Sequence, residues 1–425
     1  DGEFMIRAND GSIIVWQSFT IDTTAPSVQS VAFDDLLINE ADNGNTVTLT
    51  ITFSEDMDQS VDPSVAVNVA TTLTSPSGSW TSATTYVVEY TVADADVATA
   101  DVTVDVSGAQ DLAGNVMASE SGISSGTAVD MISPTVTVSV ADTSLIIGES
   151  TTVTITFSEA IDPSTFDLSD LSAENGTLTN LQNSGDDTTF SATLTATADV
   201  EDPSNVVTVA LGSYTDPANN TGNGATSNNY AVDTVAPTIS IDAIDGEAAG
   251  GAVINAAEAS DGITVAGSTT NAEENQTVTV TVAGAAAGSY AAQVDASGNW
   301  TLTVPANEVP ADGTISVTAD VSDAAGNAAT QATASFELET TAPAAPSTPD
   351  LAAASDAGAA DDDNLTNDTT PTFTGTAEDG STVELFADGV SIGSVTATGG
   401  RGASAISSSA AIERSPASAS PGASA

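Results

Sequence analysis

One stretch decides the fold class: Val47-Thr48-Leu49-Thr50-Ile51-Thr52-Phe53-Ser54-Glu55. Its apolar residues alternate with threonines, and a period of two is typical of a β-strand with one buried face and one solvent face. Threonine suits the solvent face because its branched Cβ is stiff. Similar alternation occurs in residues 86–92, 190–194, 278–282 and 315–317. The sequence therefore predicts an all-β protein.

The chain is also repetitive. Residues 50–55 have a second copy 104 residues later, at 154–159. A segment that ends in proline recurs at offsets of 108, 103 and 106 residues and begins at Asp22, Asp130, Asp233 and Glu339. A turn-like segment recurs at offsets of 105 and 107 residues, as Asp111-Leu112-Ala113-Gly114-Asn115, Asp216-Pro217-Ala218-Asn219-Asn220 and Asp323-Ala324-Ala325-Gly326-Asn327. Three markers with one period indicate tandem units.

Strands separated by Gly, Asn, Asp and Pro turns at this spacing predict antiparallel β-sandwiches of about 100 residues, in a tandem array. Complete repeats are predicted at residues 23–130, 131–233 and 234–339, and an incomplete one at 340–398. Residues 1–22 are predicted to be the C-terminal remnant of a preceding repeat. Residues 399–425 are rich in Ser and Ala and are predicted to be a disordered or non-native tail.

Two tryptophans are candidate core anchors. They end the segments Ser77-Gly78-Ser79-Trp80 and Ser297-Gly298-Asn299-Trp300, and we expect each Trp to follow a tight turn and open a strand. Burial is the expectation because Trp is buried on average, with ligand stacking on an exposed ring as the alternative.

The charge balance limits the partners. The 425 residues carry a formal net charge of −56, with no Lys and with Arg only at positions 7, 401 and 414. Nucleic acid is excluded as a partner, because its phosphates are held by Lys and Arg. No stretch approaches the roughly 18 apolar residues of a membrane span, so we expect no membrane insertion.

The missing residue types exclude most catalytic chemistry. The chain has no His and no Cys, which removes Ser-His-Asp triads and ordinary zinc, haem and iron–sulfur sites. A carboxylate-only glycoside hydrolase remains as an alternative. Glu55 and Glu159 occupy equivalent repeat positions, however, which favours a scaffold or repeated weak binding over one active site. We therefore expect no enzyme activity.

The segment boundaries, with Asp323-Ala324-Ala325-Gly326-Asn327 and Asn299-Trp300-Thr301-Leu302-Thr303-Val304-Pro305, resemble the bacterial immunoglobulin-like repeats of large secreted adhesins, of the biofilm-associated and RTX types. The resemblance covers roughly residues 1–398. It implies an elongated array of immunoglobulin-like domains exported by type I secretion to the bacterial cell surface. It further implies a non-catalytic stalk whose domain junctions bind calcium, and whose partners are the neighbouring repeats.

Oxygen ligands for calcium are abundant at the repeated segments. We expect each turn acid to lie beside the linker acid that follows it: Asp111 with Asp130, Asp216 with Asp233, and Asp323 with Glu339. The alternative for a single motif is an ordinary turn, with Asp capping its own backbone. The candidate ligands are Asp22, Asp111, Asn115, Asp130, Asp216, Asn220, Asp233, Asp323, Asn327 and Glu339.

A third function class is a calcium-dependent module that binds glycans or surfaces through aromatic side chains. Aromatic residues make up only 4% of the chain, and most lie on the apolar phase of a predicted strand. This module remains the alternative function for part of the chain, whereas for a stalk we expect glycans or surfaces to be bound through modules outside these residues.

Overall fold

The computed structural model describes residues 2–9, 14–356, 360, 363–398 and 408–409. In this part of the chain the regular elements are β-strands and four 3₁₀ helices of three or four residues, with no α-helix. The strands form three consecutive β-sandwiches, preceded by a hairpin and followed by smaller sheets. The predicted all-β, tandem-domain fold is confirmed. Within the described ranges no helix is long and apolar enough to cross a membrane.

The N-terminal hairpin consists of β1 (Gly2–Asn9) and β2 (Ile14–Ile21), which pair only with each other. Its large side chains, including Phe4 and Phe19, are exposed. The Arg7 guanidinium lies 5.9 Å from the ring centroid of Trp16. Residues 10–13, between the two strands, lie outside the described residues.

Unit 1 is the first sandwich. Its larger sheet has the order β3-β5-β8-β7, and two three-stranded sheets, β11-β10-β6 and β4-β12-β9, complete it. Its elements are β3 (Val28–Phe33), β4 (Leu37–Asn39), η1 (Glu40–Asp42), β5 (Thr46–Phe53), β6 (Ser64–Val67), β7 (Leu73–Trp80), β8 (Thr85–Val92), β9 (Ala98–Thr99), β10 (Thr103–Ser107), β11 (Glu120–Ser124) and β12 (Ala128–Asp130).

Unit 2 repeats this arrangement, with sheets β13-β15-β18-β17, β16-β20-β21 and β14-β22-β19. Its elements are β13 (Val136–Val140), β14 (Ser144–Leu145), β15 (Ser150–Phe157), η2 (Leu168–Asp170), β16 (Leu171–Ala173), β17 (Gly176–Asn183), β18 (Thr189–Ala196), β19 (Glu201–Asn205), β20 (Val207–Val209), β21 (Ala225–Thr226) and β22 (Tyr230–Asp233).

Unit 3 has two sheets, β24-β23-β26-β29 and β25-β31-β30-β27-β28. Its elements are β23 (Thr238–Ile244), β24 (Glu247–Ala248), β25 (Val253–Asn255), η3 (Glu258–Asp261), β26 (Ile263–Thr270), β27 (Thr277–Val282), β28 (Ser289–Gln293), β29 (Asn299–Val304), η4 (Ala306–Glu308), β30 (Gly313–Asp320) and β31 (Ala332–Glu339).

The segment after unit 3 contains β32 (Asp350–Leu351), β33 (Thr372–Thr374), β34 (Thr382–Ala387), β35 (Val390–Thr396) and β36 (Ser408–Ser409). β34 and β35 form a hairpin, and β33 pairs with both β32 and β36. β36 lies within the Ser/Ala-rich tail and pairs with β33, so these two residues belong to a sheet. The rest of the tail prediction lies outside the described residues.

Each sandwich has its own hydrophobic core, built from alternate strand positions. In β5, Val47, Leu49, Ile51 and Phe53 are buried and the intervening threonines are not. The side chains of unit 1, unit 2 and unit 3 form three separate clusters of buried residues. Each core therefore lies within one unit.

One strand pair in each unit is parallel, which the alternation did not predict. β4 pairs with β12, β14 with β22, and β25 with β31. In each case a short strand near the start of the unit lies beside the last strand. The last strand ends at Asp130, Asp233 and Glu339 respectively.

The prediction for Trp300 is confirmed and that for Trp80 is partly wrong. Trp300 is 2% exposed and is the second residue of β29. Trp80 packs against the core, 5.1 Å from Tyr86 between ring centroids, but it ends β7 instead of opening a strand. Gly78 lies inside β7, where a Cβ would come within 2.1 Å of the Tyr86 hydroxyl oxygen. The glycine therefore makes room for a ring instead of forming a turn.

Candidate functional site: the joints between units

The three repeated turns adopt one conformation. In each, the main-chain N–H of the first residue donates to the carbonyl oxygen of the fifth, and the flanking residues form an isolated β-bridge. The fourth position has positive φ in all three, +88° at Gly114, +69° at Asn219 and +109° at Gly326. Asn tolerates this left-handed conformation better than most residues, so the Asn219 departure preserves the turn.

The Asp at the start of each turn caps its own backbone. Asp111 Oδ1 accepts hydrogen bonds from the N–H groups of Ala113 and Asn115, both at 2.8 Å. Asp216 Oδ1 accepts a hydrogen bond from the N–H of Asn220 at 2.8 Å, and Asp323 Oδ1 accepts from the N–H groups of Gly326 at 2.7 Å and Asn327 at 2.8 Å. All three motifs are thus turns in which the Asp caps its own backbone.

These turns lie beside the linker that precedes their unit. Asn115 Nδ2 donates to the carbonyl oxygen of Asp22 at 3.2 Å, Asn220 Nδ2 to that of Asp130 at 3.0 Å, and Asn327 Nδ2 to that of Asp233 at 3.0 Å. The predicted pairing with the following linker is wrong. Each turn and the linker acid that follows it in the sequence lie at opposite ends of the sandwich. Asp22 and Asp111, in contrast, lie at the same end.

Two clusters of three carboxylates form at these positions among the described residues. Asp22, Glu55 and Asp111 place one carboxylate oxygen each within 4.8 Å of one another. Asp130, Glu159 and Asp216 do the same at joint 1–2, the linker region between unit 1 and unit 2. Each cluster joins a linker acid, the acid after a central strand, and the capping acid of the turn. We call these the first and second acid clusters.

The carboxylates of the clusters repel one another. Burial and, next, the charges of Asp22 and Asp111 raise the pKa of Glu55. Burial followed by the charges of Asp130 and Asp216 raises the pKa of Glu159. The pKa of Asp130 is also raised, by burial and by Asp216, against the hydrogen bond it accepts from the N–H of Ile132. The clusters thus hold negative charge that lacks compensation.

The turn favours the charged form of Asp111. Burial would raise the pKa of Asp111, but the Asn115 side chain and the N–H groups of the turn donate to its carboxylate and lower it. Asp111 and Asp216 are 1% and 2% exposed. A buried carboxylate at this position is therefore built into the fold.

Joint 2–3, between unit 2 and unit 3, is different. Phe53, Phe157 and Thr269 occupy equivalent positions in the three units. Each pairs across the sheet with the residue that lies two positions after the proline of the preceding linker. Two residues on, Asn271 therefore stands where units 1 and 2 have Glu55 and Glu159. Asp233, Glu201 and Glu273 are instead among the residues that line a cleft of about 160 Å³. Glu273 accepts a hydrogen bond from the N–H of Ala324 at 2.8 Å.

The predicted ligands thus fall into groups. The structure brings together Asp22 with Asp111 and Asp130 with Asp216, and it places Asp233 near Asp323 through Asn327, which contacts both. Glu339 ends β31 opposite Asn255 and is exposed. It does not lie with Asp323, because the Asp323 turn is at the other end of unit 3.

Sequence reasoning did not include Glu55 and Glu159 among the ligand candidates, although both complete an acid cluster. The sequence does show that both residues end the same repeated segment, at positions 55 and 159. This repetition favoured a scaffold or repeated weak binding over one active site. The amides of Asn220 and Asn327 also differ from expectation, because their Oδ1 atoms accept hydrogen bonds from main-chain N–H groups of the preceding unit.

The described fold defines a class, tandem β-sandwich domains joined by short linkers. A family model for the bacterial Ig-like domain matches residues 130–232, and a second model of that description matches residues 256–340 and 342–413. These matches cover more than half of the sequence. The chain belongs to the bacterial immunoglobulin-like domain family, and the resemblance stated from the sequence is confirmed.

Three solved structures illustrate the similarity found by comparison with known structures. A 1.5-MDa bacterial ice-binding adhesin is 21% identical, with 76% of this chain and 100% of that chain covered and a TM-score of 0.37. A Ca²⁺-stabilised adhesin with which an Antarctic bacterium binds ice is 23% identical over 91% of both chains, with a TM-score of 0.33. A single immunoglobulin-like domain of the M. primoryensis ice-binding adhesin is 31% identical over 24% of this chain and 95% of its own, with a TM-score of 0.19. The comparison with curated proteins found no match.

Proposed function

We propose that this chain is a non-catalytic extender segment of a large bacterial cell-surface adhesin, stiffened by calcium at the joints between its units. Export by type I secretion, a place in biofilm and exposure at the cell surface belong to the same proposal, as does the division into repeats at residues 22, 130, 233 and 339. The hairpin at residues 1–22 is then the end of a preceding repeat.

The second acid cluster carries this proposal. Asp130 ends β12 of unit 1, where the linker begins, whereas Glu159 and Asp216 belong to unit 2. An ion held by all three would tie the linker to the unit that follows it. The first acid cluster repeats the arrangement with Asp22, Glu55 and Asp111. Because the site recurs where a linker meets a unit, we infer that it acts on the connection between units and not within a single unit.

The donor set fits calcium. Calcium takes six to eight oxygens at about 2.3–2.6 Å from carboxylates, carbonyls and water, and carboxylates can supply two oxygens each. The sequence has no Lys or Arg between residues 7 and 401 that could neutralise the clusters. A divalent cation would relieve the repulsion that raises the pKa values of Glu55, Asp130 and Glu159.

Stiffening follows from where the ion would sit. The hydrophobic cores lie within the units, so removing the ion leaves them intact and frees the linkers. Each sandwich spans about 35–45 Å, from strands of up to ten residues at roughly 3.3 Å per residue plus loops, and three aligned units exceed about 100 Å. Chelation should shorten the mean end-to-end distance with little loss of β-structure.

Small-angle scattering of the whole chain with calcium and with a chelator tests the proposal. We expect a longer maximum dimension with calcium and an unchanged far-UV spectrum. Asp130→Ala should reduce the calcium response by loosening joint 1–2 alone, whereas Glu89→Gln, which removes an exposed charge from β8 outside both clusters, should not. Identical scattering profiles with and without calcium would exclude the calcium-stiffened stalk.

A further inference from the structure

The amide side chains of Asn220 and Asn327 each connect three parts of the chain. Asn220 Nδ2 donates to Asp216 Oδ2 at 2.8 Å and to the carbonyl oxygen of Asp130 at 3.0 Å. Its Oδ1 accepts from the main-chain N–H of Glu40 at 2.9 Å. One side chain thus contacts its own turn, the end of β12 and the 3₁₀ helix η1, the last two of which belong to the preceding unit.

Asn327 repeats the pattern at joint 2–3. Nδ2 donates to Asp323 Oδ2 and to the carbonyl oxygen of Asp233, both at 3.0 Å, and Oδ1 accepts from the N–H of Ile147 at 2.9 Å. Asn220 and Asn327 are 107 residues apart in the sequence, as are Glu40 and Ile147. The contact therefore recurs at the repeat period, and it does not depend on the side chain at position 40 or 147.

Burial makes these hydrogen bonds matter. Asn220 is 1% exposed and Asn327 is 3% exposed, although both lie at the surface of their own unit. A buried amide needs partners for its oxygen and for its nitrogen, because an unpaired buried polar group is destabilising. If the two units separated, the Oδ1 atom would lose its protein partner.

We propose that Asn220 and Asn327 are clasps that fix consecutive units in position without a metal ion. With both ends of the amide engaged, neither side chain needs to serve as a calcium ligand. The clasp is a polar, directional contact that sets the angle between units, in contrast to the cores, which stabilise each unit separately.

The two joints then differ in what holds them. Joint 1–2 has the clasp and the second acid cluster, and Ser133 Oγ in its linker also donates to Glu40 Oε1 at 2.6 Å. Joint 2–3 has Asn271 in place of the cluster Glu, Ala236 in place of Ser133, and Ile147 in place of Glu40. We infer that joint 2–3 keeps its geometry without calcium. This contrast rests on the proposed function, whereas the clasp does not.

Distances between spin labels across each joint test both statements. The chain has no Cys, so introduced pairs are labelled uniquely. Thr91→Cys with Thr195→Cys spans joint 1–2, and Thr195→Cys with Thr301→Cys spans joint 2–3; all three threonines are exposed on strands. Double electron–electron resonance on the full chain gives the distance distribution in chelator and in calcium.

In chelator, Asn327→Ala should widen the joint 2–3 distribution about twofold, as expected of a freed short linker, and leave joint 1–2 unchanged. Asn115→Ala is the matched control. Asn115 makes the same bond to its own turn acid, Asp111 Oδ2, at 2.7 Å, but lies at neither labelled joint. It should widen neither distribution. Circular dichroism confirms that each variant keeps its β-structure.

An unchanged joint 2–3 width in Asn327→Ala would overturn the clasp. Calcium should narrow joint 1–2 and not joint 2–3 in the unsubstituted protein. Equal narrowing at both joints would overturn the contrast between joints. Narrowing at neither joint would contradict the proposed calcium function, while widening by Asn327→Ala in chelator would still support the clasp.

Discussion

Asn220 Oδ1 accepts a hydrogen bond from the main-chain N–H of Glu40 across 180 residues of sequence, and this bond joins unit 1 to unit 2. The equivalent bond joins Asn327 to Ile147, also 180 residues apart. Because the donor is a backbone group, a Glu at one joint and an Ile at the other make the same contact. Repeats can therefore diverge in sequence at this position without losing their relative placement.

Loss of one carboxylate should weaken calcium binding at joint 1–2. Glu159→Gln keeps the size of the side chain and removes one of the three charges of the second acid cluster. We expect affinity at that site to fall at least about tenfold, which corresponds to about 1.4 kcal/mol. Isothermal titration calorimetry measures it, with Glu89→Gln as the control. Equal affinities in the two variants would show that the cluster is not a calcium site.

The free energy of unfolding should depend on pH through the titration of Glu159. Because the pKa of Glu159 is raised in the folded state, its stabilising contribution is complete below the unfolded pKa, about 4.3, and is lost as pH rises through the folded value. In chelator, Glu159→Gln should therefore match the unsubstituted protein near pH 4 and be more stable at pH 7. Denaturant unfolding across this range measures the difference. A variant that is less stable at pH 7 in chelator would contradict the repulsion.

The units should unfold separately. Phe157 is 4% exposed and contacts the rings of Phe166, Phe190 and Tyr214 at centroid distances of 4.6–5.7 Å. Phe157→Ala should cost unit 2 about 3–5 kcal/mol. Leu211→Ala, at a side chain that is 78% exposed in the same unit, should change the stability by less than about 0.5 kcal/mol.

Tryptophan fluorescence separates the units in that experiment. Unit 2 has no Trp, whereas unit 1 has Trp80 and unit 3 has Trp300. In Phe157→Ala, the circular dichroism transition should gain an early phase that the fluorescence transition lacks. If both signals shift together, the units unfold as one body.

Gly78 should tolerate no side chain. A Cβ there would meet the Tyr86 hydroxyl oxygen at 2.1 Å, so Gly78→Ala must displace a ring that packs against Trp80. We expect unit 1 to lose about 1–3 kcal/mol, with an altered Trp80 emission. Gly251→Ala, where nothing lies within 4 Å of the new methyl group, is the control and should be neutral. An unchanged unfolding midpoint for Gly78→Ala would show that Tyr86 moves freely.

Local patterns in the sequence predicted the strands and the repeats well. The burial of Val47, Leu49, Ile51 and Phe53 follows directly from alternation, since a strand presents every second side chain to the same face. The turn at residues 111–115 was also predictable, because Asp capping and a positive φ at Gly are local properties.

The arrangement of the acid clusters depends on contacts between distant residues, and sequence did not predict it. Asp111 is closer in sequence to Asp130 than to Asp22, yet it lies with Asp22, because the strand order of the sandwich decides which end of the unit a turn occupies. Glu55 was visible as a repeated residue in the sequence. Only the structure places its carboxylate beside those of Asp22 and Asp111. Trp80 was misplaced for a related reason, since the partner that requires Gly78 is Tyr86 on the next strand.

The parallel pair in each unit has a mechanical consequence. In unit 1 the chain enters upstream of β4 and leaves at Asp130, the end of β12, and the two strands run side by side in the same direction. Tension applied to the two ends of the unit pulls β4 backwards and β12 forwards along their common axis. The hydrogen bonds between them lie across that axis, so they are loaded in shear and resist together instead of opening one after another. A pull on the two ends of a unit therefore loads this short patch in shear, and each of the three sandwiches contains one such patch.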